Sequence, residues 1–259
     1  MPRFAANLTT LFTESPFIDR FSAAAEAGFS GVEYLFPYAF SADDLADRLQ
    51  AAGLQQALFN FPPGDWDAGD RGLAAIPGRQ SEFNESIDVA LDYARALACP
   101  TLHVMAGIPS ANASREEAME IYVDNLRRAA DRCAPEGITV VIEPLNSRDM
   151  PGYLLSRTEE ARQVIDRVDR ENLGLQLDFY HCQIMEGDLE TRLRDLAGIV
   201  RHVQIAGVPA RHEPDTGEVN YPHLFRVMDE IGYDGWVGCE YHPRAGTLDG
   251  LGWLQAANS

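Results

Sequence analysis

Residues Val140–Asn146 read Val-Val-Ile-Glu-Pro-Leu-Asn. Three β-branched apolar residues in a row mark a buried strand. Glu143 then places a carboxylate at its end. An ionised carboxylate inside a dry core is costly unless something pairs with it, so this strand must deliver Glu143 to a partner. The same construction returns near the end of the chain, where Gly235–Pro243 reads Gly-Trp-Val-Gly-Cys-Glu-Tyr-His-Pro and the apolar run stops at Glu240.

Outward from Val140–Asn146, strand-like and helix-like segments alternate. The expected strands are Phe4–Leu8, Gly31–Phe36, Gln55–Phe61, Thr101–Ala106, Ile138–Leu145, Leu173–Phe179, Val200–Ala206 and Trp236–Tyr241. Helical patterns fill the gaps. Pro16–Ala27 stops at Gly28, and a second helix opens on the N-cap Ser41 and closes at Gly53. Arg79–Ala98 repeats apolar residues at Phe83, Ile87, Leu91 and Ala94, and Ser114-Arg-Glu-Glu117 is a capping-box start for Arg115–Cys133. Thr158–Val168, Leu189–Ile199, Tyr221–Ile231 and Thr247–Ala256 complete the set. Eight βα units imply parallel strands with crossover helices. The predicted fold is an α/β, single-domain (β/α)8 TIM barrel over residues 1–259. A doubly wound open sheet would carry a Gly-rich first turn, which is missing. The longest irregular stretches, Pro62–Gly78 and Val208–Asn220, follow the third and seventh strands, on the face where barrels build active sites.

Composition narrows the function. The chain has 259 residues and a net charge of −19, from 40 acidic and 21 basic side chains. That acidity argues against a nucleic-acid surface. Every basic residue is arginine. With no lysine, Schiff-base aldolase chemistry, a pyridoxal-phosphate lysine and a Walker lysine are excluded. No apolar run approaches a membrane span, and the start lacks a signal-peptide pattern. Cys99, Cys133, Cys182 and Cys239 form no metal or CxxC spacing and read as free thiols, which predicts a cytoplasmic protein.

The strand ends carry the chemistry. The fourth strand holds His103, and the fifth ends in Glu143 and Asn146. The sixth ends in Asp178 with His181 three residues later, the seventh carries Gln204, and the eighth ends in Glu240. A lone carboxylate at a strand end is more often a loop cap or an arginine partner, a strand histidine more often a satisfied core residue, and Gln204 alone could be a core amide. Four such side chains on successive strands about 4.8 Å apart can meet at one point. Three carboxylates and an amide oxygen suit Mg2+, with Mn2+ as the alternative, better than structural zinc. Trp66 sits in a polar Gly/Asp loop and reads as a lid or pocket wall. Arg71 and Arg211 lie in the two long loops and are candidates for holding an anionic substrate. Asn60 and His103 on the third and fourth strands, and His181 in the turn after Asp178, complete the candidate residues.

With these residues in place, the chain resembles the hydroxypyruvate isomerase family within the xylose-isomerase-like barrels. The resemblance runs over nearly the whole length. It rests on the segments FAANLTTLF, GVEYLFPY, FPPGDWDAGDRGLAAIPGR, IEPLN, LDFYHCQIMEGDL, HVQIAGVPARHEPDTGEVNY and GWVGCEYHP. It implies a divalent metal at Glu143, Asp178, Gln204 and Glu240, with Glu143 and Glu240 doubling as the acid/base pair and His181 binding substrate oxygens. Related ketose epimerases have a histidine where Gln204 stands. The implied reaction interconverts hydroxypyruvate and tartronate semialdehyde through an enediolate. Isomerisation of 2-oxo-tetronate and ketose 3-epimerisation are the alternatives on the same scaffold. The expected partner is a small anionic oxo-acid, with no nucleic acid and no membrane, and homo-oligomer formation is left open. A repair nuclease of the same superfamily would need a histidine-rich zinc cluster, which Asn60 and Gln204 interrupt. A non-catalytic binding barrel would not need both glutamates.

Overall fold

Each apolar run pairs with the next, and the eighth returns to the first, closing a barrel. All eight pairings are parallel. The computed structural model describes residues 2–257; Met1 and residues 258–259 of the expected domain lie outside the described residues. The strands are β1 (Arg3–Asn7), β2 (Gly31–Tyr34), β3 (Gln55–Asn60), β4 (Thr101–His103), β5 (Thr139–Ile142), β6 (Leu173–Asp178), β7 (Val200–Ile205) and β8 (Trp236–Cys239). Around them run α1 (Arg20–Glu26), α2 (Ala42–Ala52), α3 (Gln80–Ala96), α4 (Arg115–Cys133), α5 (Thr158–Val168), α6 (Phe179–Met185), α7 (Leu189–Leu196), α8 (Tyr221–Glu230) and α9 (Gly252–Ala257). The fold is the α/β barrel expected from the alternation.

The local signals act as their chemistry requires. Ser41 Oγ accepts the Asp44 N–H at 3.1 Å and starts α2, while Gly53 ends it in the left-handed region at φ 67°. Ser114 Oγ accepts the Glu117 N–H at 3.0 Å and starts α4. Such caps satisfy N–H and C=O groups that the helix leaves unpaired. Three expectations need correction. The expected strands overrun the sheet at their C-terminal ends by one to three residues. Most of those tail residues, Met105 and Leu145 among them, stay buried at the barrel mouth, so their apolarity reads as strand. The helix expected at Thr247–Ala256 divides into a 3-10 turn, Leu248–Gly250, and α9. Helix α6 was not expected at all. It starts where β6 stops, with Asp178 as its N-cap accepting the Tyr180 N–H at 2.7 Å.

Inside the barrel, Trp236 closes the N-terminal end against Ala5 and Ala57. Its ring lies 2.6 Å from where a Cβ of Gly31 would stand, so β2 passes there only as glycine. Above this floor the interior turns polar, and the C-terminal mouth holds the side chains singled out in the sequence. Among the described residues, no helix is long and apolar enough to cross a membrane.

Candidate active site

Glu143 stands one residue beyond the last paired position of β5, and Glu240 one beyond that of β8. Asp178 is the last residue of β6 and lies in register with Gln204 of β7. The strand ends therefore converge. Glu143, His181, Gln204 and Glu240 line one cavity of about 160 Å3 at the barrel mouth. Asn60 and His103, paired across β3 and β4, form another part of its wall. Trp66 enters from the loop after β3, and Arg211 from the loop after β7.

Among the described residues, Glu143, Asp178 and His181 bring donor atoms to within 4.8 Å of one another. Glu143 Oε1 and Asp178 Oδ2 are buried and accept no hydrogen bond from the protein. His181 Nε2 lies 4.0 Å from the first and 3.6 Å from the second. Two unsatisfied carboxylate oxygens aimed at one gap fit a divalent cation, which takes oxygen donors and offsets their burial. Gln204 Oε1 accepts from Gln176 Nε2 at 2.6 Å and keeps a second lone pair. Glu240 Oε2 lies 3.2 Å from Arg211 Nη2, which is also 4.0 Å from Asp178 Oδ2.

Burial sets the electrostatics. It raises the Glu143 carboxyl well above the usual carboxylate range, and the neighbouring charges of Asp178 and Glu240 add to the rise. It pushes Asp178 up to about 6 and Glu240 up to about 7, with Arg211 pulling both back. Burial opposes the Arg211 charge too, but Glu240, Asp178 and Glu143 outweigh it and raise its pKa. His181 is held well below its ordinary value by burial and by Arg211. His103 is pushed down to about 3 by burial and by His202. Its Nδ1 sits 3.2 Å from Asn60 Oδ1 and 3.8 Å from Glu143 Oε2, and its Nε2 is buried without a partner.

Arg211 is carried in an unusual way. Its φ of 56° is left-handed, a conformation uncommon outside glycine. Two backbone bonds hold it there, from its N–H to the Gly207 carbonyl at 2.7 Å and from the His242 N–H to its own carbonyl at 2.8 Å. The guanidinium rests 5.0 Å from the Tyr180 ring centre. Backbone strain at a cavity wall accompanies functional side chains more often than packing ones.

Sequence reading passed over a layer just beneath the cavity. Glu33 of β2 is fully buried. Its Oε1 accepts from Asn7 Nδ2 at 2.9 Å and from Gln204 Nε2 at 2.7 Å, and its Oε2 accepts from His202 Nε2 at 2.7 Å. A Cβ at residue 238 would stand inside contact distance of both oxygens, so β8 carries Gly238 there. The signal was available, since Gly31-Val-Glu-Tyr34 sets a carboxylate in an apolar strand just as Val140–Glu143 does.

Arg71 does not line the cavity. Its guanidinium stacks 4.1 Å from the Trp66 ring centre and donates to the carbonyls of Trp66 (3.0 Å) and Asp70 (2.6 Å). Trp66 is in turn packed on Phe36, with ring centres 5.0 Å apart. The arrangement braces Trp66 from behind. With a cation–π contact in the range of about 0.5–2 kcal/mol, Arg71→Ala is expected to raise KM roughly 3- to 30-fold while kcat stays near the parent value. Steady-state kinetics check this, and a loss confined to kcat would contradict the brace.

Residues 21–257 match the family of xylose isomerase-like TIM barrels. A 2-oxo-tetronate isomerase of Cupriavidus necator is 57% identical over 98% of either chain. A hydroxypyruvate isomerase of Escherichia coli is 45% identical, again over 98% of either chain. A solved structure from Brucella melitensis, described as an AP endonuclease of family 2, superposes with a TM-score of 0.97 at 56% identity and covers 99% of each chain.

Proposed function

The chain belongs to the family of xylose isomerase-like TIM barrels and is an isomerase, and we propose that it moves a proton between C3 and C2 of a short 2-oxo acid that carries a hydroxyl on C3. 2-Oxo-tetronate is the first candidate, because the 57% relative bears that name. Hydroxypyruvate is the second, on the name of the 45% relative. The two share a carboxylate, a ketone at C2 and a C3 that carries a hydroxyl and a removable hydrogen, and they differ only in the remaining group on C3, a hydrogen or a hydroxymethyl. The observation that carries the proposal is the pair of glutamates, the buried Glu143 and the partly buried Glu240, at strand ends lining one small cavity with Arg211. Arg211 is the one arginine among the described residues lining that cavity. It supplies the positive charge that a carboxylate substrate needs in a protein of net charge −19. A neutral ketose would leave it without that role.

The residues act as follows. Arg211 and His181 hold substrate oxygens, while Trp66, Asn60 and His103 shape the wall. One glutamate removes the C3 proton; the C–H electron pair forms the C2–C3 double bond and the ketone oxygen takes the charge. The hydroxyl proton moves from O3 to O2. As O3 becomes a carbonyl oxygen, the electron pair returns to C2, which takes a proton from the facing glutamic acid. Glu143, Asp178, Gln204 and Glu240 would hold a divalent cation, Mg2+ or Mn2+, which when bound supplies polarisation of the ketone and stabilises developing negative charge.

Nuclease action on nucleic acid fits less well, since the chain has no lysine and an acidic charge balance. The test is proton NMR in D2O with Mg2+ and, in separate tubes, 2-oxo-tetronate and hydroxypyruvate. Deuterium is expected at C2 of the 2-hydroxy-3-oxo product and at C3 of recovered substrate. No exchange and no product with either acid, at saturating Mg2+, would reject the proposal and direct attention to ketoses.

A further inference from the structure

Asn146 ends the Ile-Glu-Pro-Leu-Asn segment, and nothing in the reaction so far uses it. Its side-chain oxygen accepts two backbone hydrogens, from Arg148 at 3.0 Å and Asp149 at 2.8 Å. Both donors are fixed by the chain, so the amide can point only one way. Its Nδ2 therefore faces the other side. There it donates to Asp149 Oδ2 at 3.1 Å, an oxygen that also accepts from Tyr180 at 2.8 Å. The same Nδ2 lies 2.6 Å from His181 Nδ1, and the Asn146 backbone N–H donates to that nitrogen at 3.1 Å.

Two N–H groups thus converge on His181 Nδ1. A proton on that nitrogen would face both of them. Nδ1 must be bare, which excludes the imidazolium as well as one neutral tautomer. In a neutral ring the proton then sits on Nε2. We propose that Asn146 is the positioning residue that fixes His181 as the Nε2–H tautomer, so that His181 meets the substrate as a hydrogen-bond donor and stays out of metal coordination through that nitrogen. The inference rests on the reading of His181 as a group that holds a substrate oxygen.

The surroundings agree. His181 Nε2 is 3.6 Å from Asp178 Oδ2 and 4.0 Å from Glu143 Oε1. Both distances exceed a hydrogen bond, so the Nε2 proton is left free for a substrate oxygen in the cavity that His181 lines. A substrate hydroxyl or ketone oxygen placed there would receive it. The ring is 4% exposed, so water does not compete freely.

The test uses 15N-histidine-labelled protein with Mg2+ and long-range 1H–15N correlation, which separates protonated from bare ring nitrogens. His181→Gln identifies the His181 signals. The parent is expected to show a bare Nδ1 and a protonated Nε2. In Asn146→Asp a carboxylate oxygen replaces the Nδ2 donor while the bonds to Arg148 and Asp149 remain. The Asn146 backbone N–H alone then opposes a proton on Nδ1, so the share of rings protonated at Nδ1 should rise, and kcat/KM should fall roughly 10- to 100-fold. A protonated Nδ1 in the parent would overturn the proposal, and this arm does not depend on the variant folding. An unchanged ring in a folded Asn146→Asp would overturn the role of Asn146. A ring that changes with no loss of turnover would instead overturn the substrate-facing reading of His181 and leave the tautomer assignment standing.

Discussion

Glu143→Gln is expected to lower kcat by about 10^2- to 10^4-fold, the contribution of a positioned proton-transfer group. The amide keeps the shape of the side chain but can neither accept the substrate proton nor return it. Packing should survive. Glu143 shares its pocket with Asp178 and Glu240, and burial together with these neighbours already disfavours its charge. Removing one of three neighbouring carboxylates relieves that repulsion when no cation offsets it. In the presence of a chelator, therefore, the variant should unfold at a temperature equal to or above that of the parent. The kinetic arm is read by deuterium exchange at C3 in D2O. The stability arm is read by thermal unfolding with EDTA. Exchange near the parent rate would remove Glu143 from the proton path. Unfolding well below the parent would mean that its carboxylate holds the fold rather than the chemistry.

The barrel was legible because its signals are local and repeated. Most strands are short β-branched or apolar runs, and several helices carry their own caps, as at Ser41, Gly53 and Ser114. Strand ends were less legible. Residues such as Leu145 are apolar because they pack over the mouth, and a one-dimensional pattern cannot separate a ladder from a buried tail. Helix α6 stayed hidden because Asp178 does two jobs, closing β6 and capping the turn that follows. Glu143, Asp178, Gln204 and Glu240 were singled out by one rule, a polar side chain at a strand end, and their strand ends meet at the barrel mouth. The rule fails for Glu33, which sits inside β2 rather than at a tip exposed to the mouth. It fails differently for Arg71. Loop length alone cannot show that this guanidinium turns to Trp66 instead of the cavity.

Glu33→Leu should be the most damaging single change to the fold. Leucine fills a similar space but withdraws the acceptor from Asn7 Nδ2, Gln204 Nε2 and His202 Nε2 together. Each buried donor left unpaired costs about 1–3 kcal/mol. Three such donors together cost several kcal/mol. The expected loss is of that size, on the order of 10 °C in Tm for a chain of this length. Gly238→Ala should act in the same direction from the other side, by driving a methyl group against the same carboxylate. The two changes share one network, so their costs should not add. Urea unfolding of both single variants and the double variant measures this. A loss below about 1 kcal/mol for Glu33→Leu would mean the layer can re-pair without its acceptor. The consequence reaches the site through Gln204. Its Nε2 is tied to Glu33, which leaves its oxygen as the end shared between Gln176 and the cavity. With Glu33 gone, only Gln176 Nε2 still fixes which end of that amide faces the cavity, so the same substitution should depress turnover even at temperatures where the barrel stays folded.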